Sequence, residues 1–192
     1  MRVLVVHAHP VETSFNRAIH DTVVAALTAK GHLVDDLNLY DEGFRAAMSR
    51  DERLRYHEVP ENQTPEIKPY VDRLLGTDAA VFVFPVWNYG FPAILKGYFD
   101  RIFLPGVSFR LDDGKLSPNL DNIRKVAFIT TYGGDRWRTW LMGDPPRKVV
   151  KRWGWATFRT PPQYLALYDM NNNGEARLKG FLDKVRSHMS AF

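Results

Sequence analysis

Short apolar runs alternate with amphipathic segments along most of the chain. Val3–Val6, Ala79–Pro85 and Lys125–Thr131 are short runs rich in apolar residues, which predicts buried parallel strands. Phe15–Lys30 carries its apolar residues on one face at helical spacing, which predicts an amphipathic helix. His32–Leu39 alternates between apolar and polar residues, as a half-covered edge strand does.

The rest of the chain gives the same two kinds of signal, separated by polar segments. Four further helices are predicted at Pro65–Leu75, Pro92–Phe103, Pro145–Trp153 and Glu175–Met189. A fifth strand is predicted at Tyr164–Tyr168. In the third of these helices, Val149 and Val150 are predicted to point inward. Tyr40–Thr64 and Tyr132–Asp144 are predicted to be irregular, and a small hairpin is predicted to turn at Asp112-Asp113-Gly114.

Strands that alternate with helices form a parallel sheet covered on both faces. Five strands in 192 residues suit the flavodoxin-like strand order 2-1-3-4-5 better than a full Rossmann fold. The sequence therefore predicts an α/β, doubly wound five-stranded parallel sheet with helices on both faces. We expect a single domain over residues 1–192, because no linker, internal repeat or low-complexity tract divides the chain.

Three loops of unusual composition are predicted at the carboxyl edge of this sheet. His9–Asn16 follows the first strand, Val86–Phe91 follows the third, and Tyr132–Asp144 follows the fourth. Doubly wound sheets bind ligands beyond the carboxyl ends of their strands, where the winding direction reverses. We therefore interpret the three loops as parts of one site.

The first loop leads directly into a helix and so favours a bound anion. Backbone N–H groups at the helix start, the helix dipole and the hydroxyls of Thr13 and Ser14 are the groups that bind phosphates in proteins. In the alternative interpretation, Ser14 or Thr13 is an ordinary N-cap with water above it. The loop contains neither the glycine pattern of a Rossmann fingerprint nor that of a P-loop.

The other two loops supply aromatic rings and close-approaching backbone. Trp87, Asn88 and Tyr89 lie between two prolines, and Gly133 and Gly134 allow the backbone to come close to a ligand. The aromatic residues could instead belong to the core, but they lie in a loop without periodicity. A phosphate site, aromatic rings and backbone donors together indicate a flavin nucleotide pocket.

Composition and charge narrow the function further. The chain has no cysteine, which excludes disulfides and thiolate chemistry. No apolar run is long enough to span a bilayer and no secretory pattern precedes the first strand, so a cytoplasmic protein is expected. The net charge is +4, and the basic residues cluster only at Arg136–Arg138 and Arg147–Arg152, so nucleic acid is not expected as a partner. His7 and His9 lack a third ligand, so we expect no metal site.

Three stretches, His9–Asn16, Phe84–Arg101 and Thr130–Gly134, resemble the flavin-binding segments of the NAD(P)H:quinone oxidoreductase family. This family is DT-diaphorase-like, and the chain looks most like its small bacterial members. The resemblance covers nearly the whole chain, with one residue inserted in the third stretch. It implies a flavodoxin-like homodimer with one flavin per active site, in which each site is formed partly by the partner subunit.

The resemblance also implies a set of cofactor contacts. It places His9, Ser14, Phe15 and Asn16 on the flavin's phosphates, Pro85, Val86, Trp87, Asn88 and Tyr89 along the isoalloxazine, and Thr130, Thr131, Gly133 and Gly134 on its pyrimidine side. Arg177 matches an arginine that reaches the adenine half of FAD in the larger members. This match favours FAD, with FMN as the alternative, and the implied hydride donor is NADH or NADPH.

The chain departs from the family pattern around the acceptor pocket. Met142 stands where the vertebrate enzymes carry a histidine, and Phe109 and Leu111 replace two tyrosines that face the partner. The preferred quinone and the proton donor are therefore not carried over, and no catalytic residue is assigned. The side chains that we expect nearest the substrate are Trp137, Arg138 and Trp140.

The function implied by these observations is flavin-dependent NAD(P)H:quinone oxidoreduction. The hydride donor and a quinone or similar electrophile would use one pocket in turn, by a two-electron ping-pong mechanism. The resemblance leaves one alternative, a flavin-binding ancillary subunit of a potassium efflux system in peripheral contact with the membrane transporter. A flavodoxin-type one-electron carrier is disfavoured, because such carriers are acidic and this chain has a pI near 9.3.

Overall fold

The computed structural model describes residues 1–112 and 114–192. The strands in this part of the chain are β1 (Arg2–His7), β2 (Leu33–Asn38), β3 (Ala79–Val86), β4 (Phe109–Asp112), β5 (Lys115–Pro118), β6 (Lys125–Tyr132) and β7 (Gln163–Leu167). The helices are α1 (Phe15–Ala29), α2 (Arg50–Leu54), α3 (Lys68–Leu75), α4 (Ala93–Ile102), α5 (Arg136–Leu141), α6 (Pro145–Val149), α7 (Trp155–Phe158) and α8 (Glu175–Ser190). A π-helical turn (Val150–Gly154) joins α6 to α7, and a 3-10 turn (Met170–Asn172) precedes α8.

Five strands form one parallel sheet in the order β2-β1-β3-β6-β7. Numbered among themselves, these strands have the order 2-1-3-4-5, so the predicted flavodoxin-like sheet is confirmed. The strands β4 and β5 form a separate antiparallel pair. The hairpin turn predicted between them contains Asp113, which lies outside the described residues.

The core consists of two layers, one on each face of the sheet. Alternate side chains of a strand point to opposite faces, so Val5 and Ile129 pack with α1 and α8, whereas Phe82 and Phe128 pack with α3 and α4. β3 and β6 are buried along nearly their whole length, because helices cover both faces. This arrangement leaves the carboxyl ends of the strands as the open edge of the sheet.

The structure contains two short helices in segments that the sequence pattern predicted to be irregular. α2 lies in the connection over residues 40–64 and begins with a capping box, in which Ser49 and Glu52 each bond the other's backbone N–H, at 3.2 and 2.7 Å. α5 lies within the third loop and is capped by Asp135, whose carboxylate accepts from the Arg138 N–H at 2.7 Å. α2 carries no apolar stripe, so hydrophobic periodicity did not reveal it. α5 carries Trp137, Trp140 and Leu141 at helical spacing, but with six residues it is too short for periodicity to distinguish it from a loop.

The helix predicted over residues 145–153 extends beyond its predicted end, and one of its two valines does not face the core. It continues through the π-helical turn to Phe158. Val150 is fully buried, but Val149 is 42% exposed, so the prediction that both valines point inward was wrong. Neighbouring helical positions point roughly 100° apart, and only one of two consecutive residues faces the core here. Among the described residues, no helix is both long enough and apolar enough to cross a membrane.

Candidate functional site

The carboxyl ends of β1, β3, β6 and β7 meet around a cavity of about 180 Å³. It is lined by His9, Ser14, Phe15, Asn16, Pro85, Val86, Trp87, Thr131, Gly133, Met170 and Asn171. Nine of these eleven residues belong to the fourteen predicted cofactor contacts. The fold therefore brings the three predicted loops to one place, because parallel strands end at the same edge.

The start of α1 supplies backbone donors to this cavity. Ser14 is the N-cap of the helix, and its Oγ accepts from the Arg17 N–H at 3.1 Å. The N–H groups of Phe15 and Asn16 precede the first intrahelical acceptor, so the helix itself cannot pair them. Since both residues line the cavity, the helix start favours an anion there.

The second loop is held by a tight, strained turn. Trp87 and Gly90 exchange two backbone hydrogen bonds, of 3.2 and 2.8 Å. Asn88 and Tyr89 between them have φ values of 48° and 56°, which is the backbone of a type I′ turn. A non-glycine residue in this region stores strain, and such strain is concentrated at functional sites. The Trp87 ring lies 5.8 Å from the His9 ring, so the first two loops are in contact.

The third loop is tied to the segment that follows β7. The carbonyl of Gly134 accepts from the Asp169 N–H at 2.9 Å. Asp144, at the end of the loop, accepts from the hydroxyls of Tyr132 at 2.7 Å and Tyr168 at 3.1 Å. Burial, with Tyr164 and Asp144 nearby, raises the pKa of Tyr132, which keeps its phenol a neutral donor. These bonds fix the backbone of Gly133 and Gly134 at the edge of the sheet.

Several buried polar side chains near this edge have no partner within the part of the chain that the structure describes. They are the Asn16 amide, on both its oxygen and its nitrogen, the Thr130 hydroxyl and both ring nitrogens of His7. Their residues are at most 2% exposed. A buried polar group without a partner is costly and uncommon. The Asn16 amide, which lines the cavity, is therefore placed to meet a ligand.

His7 lies beneath the start of α1 and stacks on His20, with ring centroids 4.5 Å apart. His20 in turn contacts Asp36 at 2.7 Å and Asp21 at 3.1 Å. Burial, and then repulsion from His20 and Arg17, lowers the pKa of His7 to about 3. His7 is therefore a neutral imidazole at physiological pH. His7 and His20 are both buried, but His7, unlike His20, contacts no carboxylate among the described residues.

Met170 and Asn171 line the cavity but were not among the predicted contacts. Both lie in the loop after β7, which is a fourth loop at the same edge of the sheet. Ligands bind at the carboxyl ends of the strands, and the loop after β7 lies at the same ends as the first three loops. The polar run Asn171-Asn172-Asn173 is the sequence signal from which this loop could have been predicted to join the site. In addition, the Cβ that a side chain would add at Gly133 would lie 3.2 Å from the Asn171 Nδ2, so the third and fourth loops approach closely.

The remaining predicted residues lie around the cavity or outside it. Arg177 is exposed in the first turn of α8, one turn before Phe181, whose ring lies 6.5 Å from Phe15. Trp137 and Trp140 stack with centroids 5.0 Å apart and are 66% and 65% exposed. Within the described chain, neither these two rings nor Arg138 lines the cavity, and their nearness to a substrate stays a prediction. No cluster of metal-binding side chains occurs among the described residues.

Comparison with known proteins places the chain in a family. A model of the family described as having the flavodoxin-like fold matches residues 1–150. The uncharacterized NAD(P)H oxidoreductase YcaK of Escherichia coli (strain K12) is 32% identical over 135 residues, which are 70% of this chain and 66% of that protein. NAD(P)H dehydrogenase [quinone] 1 of Rattus norvegicus is 31% identical over 147 residues, which are 69% of this chain and 54% of the rat protein.

Solved structures agree with this placement. The crystal structure of Smu.1420 from Streptococcus mutans UA159 superposes with a TM-score of 0.88 and 28% identity, covering 100% of both chains. In contrast, the sequence match spans at most about two thirds of the length of the two curated relatives. The chain therefore belongs to the flavodoxin-like family, and it resembles members of that family that are named as NAD(P)H oxidoreductases and quinone dehydrogenases.

Proposed function

We propose that the chain is a flavin-dependent NAD(P)H:quinone oxidoreductase. The observation that carries this proposal is the convergence of four loops on one cavity that holds a helix N-terminus, an aromatic ring and an unpaired buried amide. The donor set suits a flavin nucleotide. Ser14, Asn16 and the first N–H groups of α1 would hold its phosphates, Trp87 and the backbone of the second loop would line its ring, and Gly133 would face its pyrimidine edge.

The protein's part in the reaction is positioning and electrostatics. A bound flavin supplies hydride transfer between NAD(P)H and a quinone. The strained turn at Asn88 and Tyr89 fixes the backbone beside the ring site, and the anchored third loop presents its N–H groups without further reorganisation. Holding donor and acceptor in turn over one face supplies the remaining rate enhancement through proximity and orientation.

FAD is the proposed nucleotide. Arg177 is exposed in the first turn of α8, near the start of α1. A cation at this position is suited to contact the adenine half of the dinucleotide, which FMN lacks. The nucleotide released from the purified protein by denaturation, identified by its mass, distinguishes the two.

The proposed active form is a homodimer with shared sites. An apolar groove of about 760 Å³ lies on the α4 face, and its lining includes Phe99, Phe103, Phe109 and Trp153. Burial of such a surface against a second copy is favourable. Phe109 also belongs to the β4–β5 hairpin, which is the element that the family resemblance directs towards the partner's site. Light scattering after size-exclusion chromatography measures the oligomeric state.

The decisive experiment combines a visible spectrum with steady-state kinetics. The purified protein is expected to show flavin absorbance and to oxidise NADH or NADPH when a quinone is present. A colourless protein that binds neither added FAD nor added FMN would contradict the proposal. A flavin-bound protein without turnover would instead support the ancillary-subunit alternative, although the relatives' names as oxidoreductases favour the enzyme.

A further inference from the structure

The positive charge and the tryptophans of this chain are concentrated in one segment. Residues 135–159 contain seven basic and two acidic residues, a net charge of +5, whereas the whole chain has +4. The rest of the protein therefore carries a net charge of −1. The same segment holds four of the five tryptophans. Trp153 packs against the core beside Phe99 and Phe103, but none of the basic residues or tryptophans of the segment lines the cavity.

The side chains in question are exposed and adjacent. On α5, the apolar Trp137, Trp140 and Leu141 are 66%, 65% and 68% exposed, and the basic Arg136 and Arg138 are exposed beside them. Gly143 lies next to the end of α5, because its N–H donates to the Trp140 carbonyl. The Nζ of Lys148, in α6, lies close to Gly143, 3.3 Å from where a Cβ on that residue would stand. Lys148 therefore lies near the end of α5. We name Arg136, Trp137, Arg138, Trp140, Leu141 and Lys148 the α5 patch.

The acidic residues of the segment do not neutralise this patch. Asp144 is engaged by the hydroxyls of Tyr132 and Tyr168. Asp135 caps α5 through the Arg138 N–H, and its contact with the Arg138 side chain, at 3.5 Å, is a surface pair, which is a weak interaction. The patch therefore presents net positive charge together with large apolar rings.

We propose that the α5 patch docks the protein on an anionic lipid bilayer. Amphipathic indole rings partition to the level of the lipid headgroups, and arginine and lysine side chains beside them attract anionic lipid. A short helix with exposed rings and flanking cations binds in the plane of the interface without spanning the bilayer. Because the α5 patch is positively charged, the membrane surface that it would bind is an anionic one. This inference does not depend on the proposed redox activity.

Vesicle flotation with the full chain tests the proposal. We expect binding to protein-free vesicles of phosphatidylcholine with phosphatidylglycerol, weaker binding to phosphatidylcholine alone, and loss of binding at high salt. Binding to native membranes but not to these vesicles would overturn the proposal and indicate a protein partner. Because flotation requires no turnover, a protein without reductase activity can still pass or fail this test.

Paired variants separate the patch from general electrostatics. Removing two charges with Arg136→Gln and Arg138→Gln is expected to weaken partitioning about 30-fold. The matched control, Lys179→Gln with Lys184→Gln, removes the same charge from exposed positions of α8 and is expected to retain most of the binding. An equal loss in the two double variants would overturn the assignment to α5.

Quenching by lipids with brominated acyl chains tests insertion of the rings. The tryptophan fluorescence of the unmodified protein is expected to fall on contact with brominated phosphatidylcholine–phosphatidylglycerol vesicles. In the variant Trp137→Phe with Trp140→Phe, most of that quenching is expected to disappear. Binding without quenching in the unmodified protein would show that the rings stay in water, and would contradict the proposal even if the variant failed to fold.

Discussion

Two buried polar clusters on opposite faces of the sheet differ in how their polar atoms are satisfied. On the α4 face, the fully buried Arg101 donates to Glu52 at 3.0 Å, to Glu66 at 2.9 Å and to the carbonyl of Arg45. On the α1 face, the side chains of Asn16 and His7 are equally buried but have no partner within the described residues.

This difference separates a structural site from a binding site. A buried charge that is fully paired connects the elements around it, and Arg101 joins α4 to α2 and to the connection before α3. A buried amide without a partner stabilises nothing in the free protein and is retained where a ligand pairs it. The comparison predicts opposite responses when each group is removed.

The largest expected effect is on stability, at Arg101. Arg101→Met leaves the Glu52 carboxylate, which is 8% exposed, without its cationic partner. We expect the free energy of unfolding to fall by about 3–5 kcal/mol, measured by denaturant titration of the cofactor-free protein. Flavin affinity of the folded fraction is expected to stay the same.

An exposed ion pair is the matched control for Arg101. Lys68 contacts Asp72 at 2.7 Å, and the two side chains are 54% and 56% exposed. Lys68→Met is expected to change the free energy of unfolding by at most about 0.5 kcal/mol. If Arg101→Met cost no more than this control, the interpretation of Arg101 as the structural centre of its cluster would be wrong.

The next effect is on binding, at Asn16. Asn16→Leu is expected to leave the free energy of unfolding of the cofactor-free protein unchanged or slightly higher, because no hydrogen bond within the described chain is lost. Flavin affinity is expected to fall about 10- to 100-fold, since a hydrogen bond to a charged phosphate is lost. Fluorescence titration of FAD and FMN into the cofactor-free variant measures this change.

Asn122 is the matched control for Asn16, because the same substitution is expected to lower stability there and to leave flavin affinity unchanged. Its amide donates to the carbonyls of Leu74, Leu75 and Thr77 at 2.8–3.2 Å, far from the cavity lining. Asn122→Leu is expected to lower the free energy of unfolding by about 1–3 kcal/mol and to leave flavin affinity unchanged. Equal effects of the two variants on affinity would remove the distinction between the clusters.

The two clusters also differ in how far the sequence predicted them. The sheet and its carboxyl edge could be predicted because apolar runs and helical stripes are local signals. The rule that ligands bind at this edge grouped Asn16, Trp87 and Gly133, which line one cavity in the structure. The same rule covered Met170 and Asn171, which were missed because the loop after the fifth strand was not considered.

The Arg101 cluster had no such signal. Its partners Glu52 and Glu66 lie 49 and 35 positions earlier in the sequence. Glu52 lies in the connection that was predicted to be irregular, and Glu66 lies at the start of the helix predicted over residues 65–75. Pairing at such distances depends on how the connection folds back over α4, which periodicity does not encode. The stacking of His7 on His20 is a similar case, because it depends on the rotation of α1 over the end of β1.

A further expected effect depends on pH and concerns the buried His7 on the α1 face. Burial lowers the pKa of His7 from its ordinary value of 6.5 to about 3 in the folded protein. Between pH 6.5 and pH 3, His7 therefore binds a proton in the unfolded chain but not in the folded chain. The free energy of unfolding therefore falls as the pH falls through this range, and His7 accounts for about 2 kcal/mol of the loss between pH 7 and pH 5.

His7→Leu is expected to reduce that pH-dependent loss by the same amount, as measured by denaturant titration of the cofactor-free protein at pH 7 and pH 5. The control is His57→Gln, because His57 is exposed in the folded protein and lies outside the cluster of His7 and Asn16. This variant is expected to keep the original pH dependence. A His7→Leu protein that lost as much stability as the unmodified chain would show that His7 takes up a proton in the folded state. The imidazole would then have a partner after all, and the α1 cluster would resemble the one around Arg101.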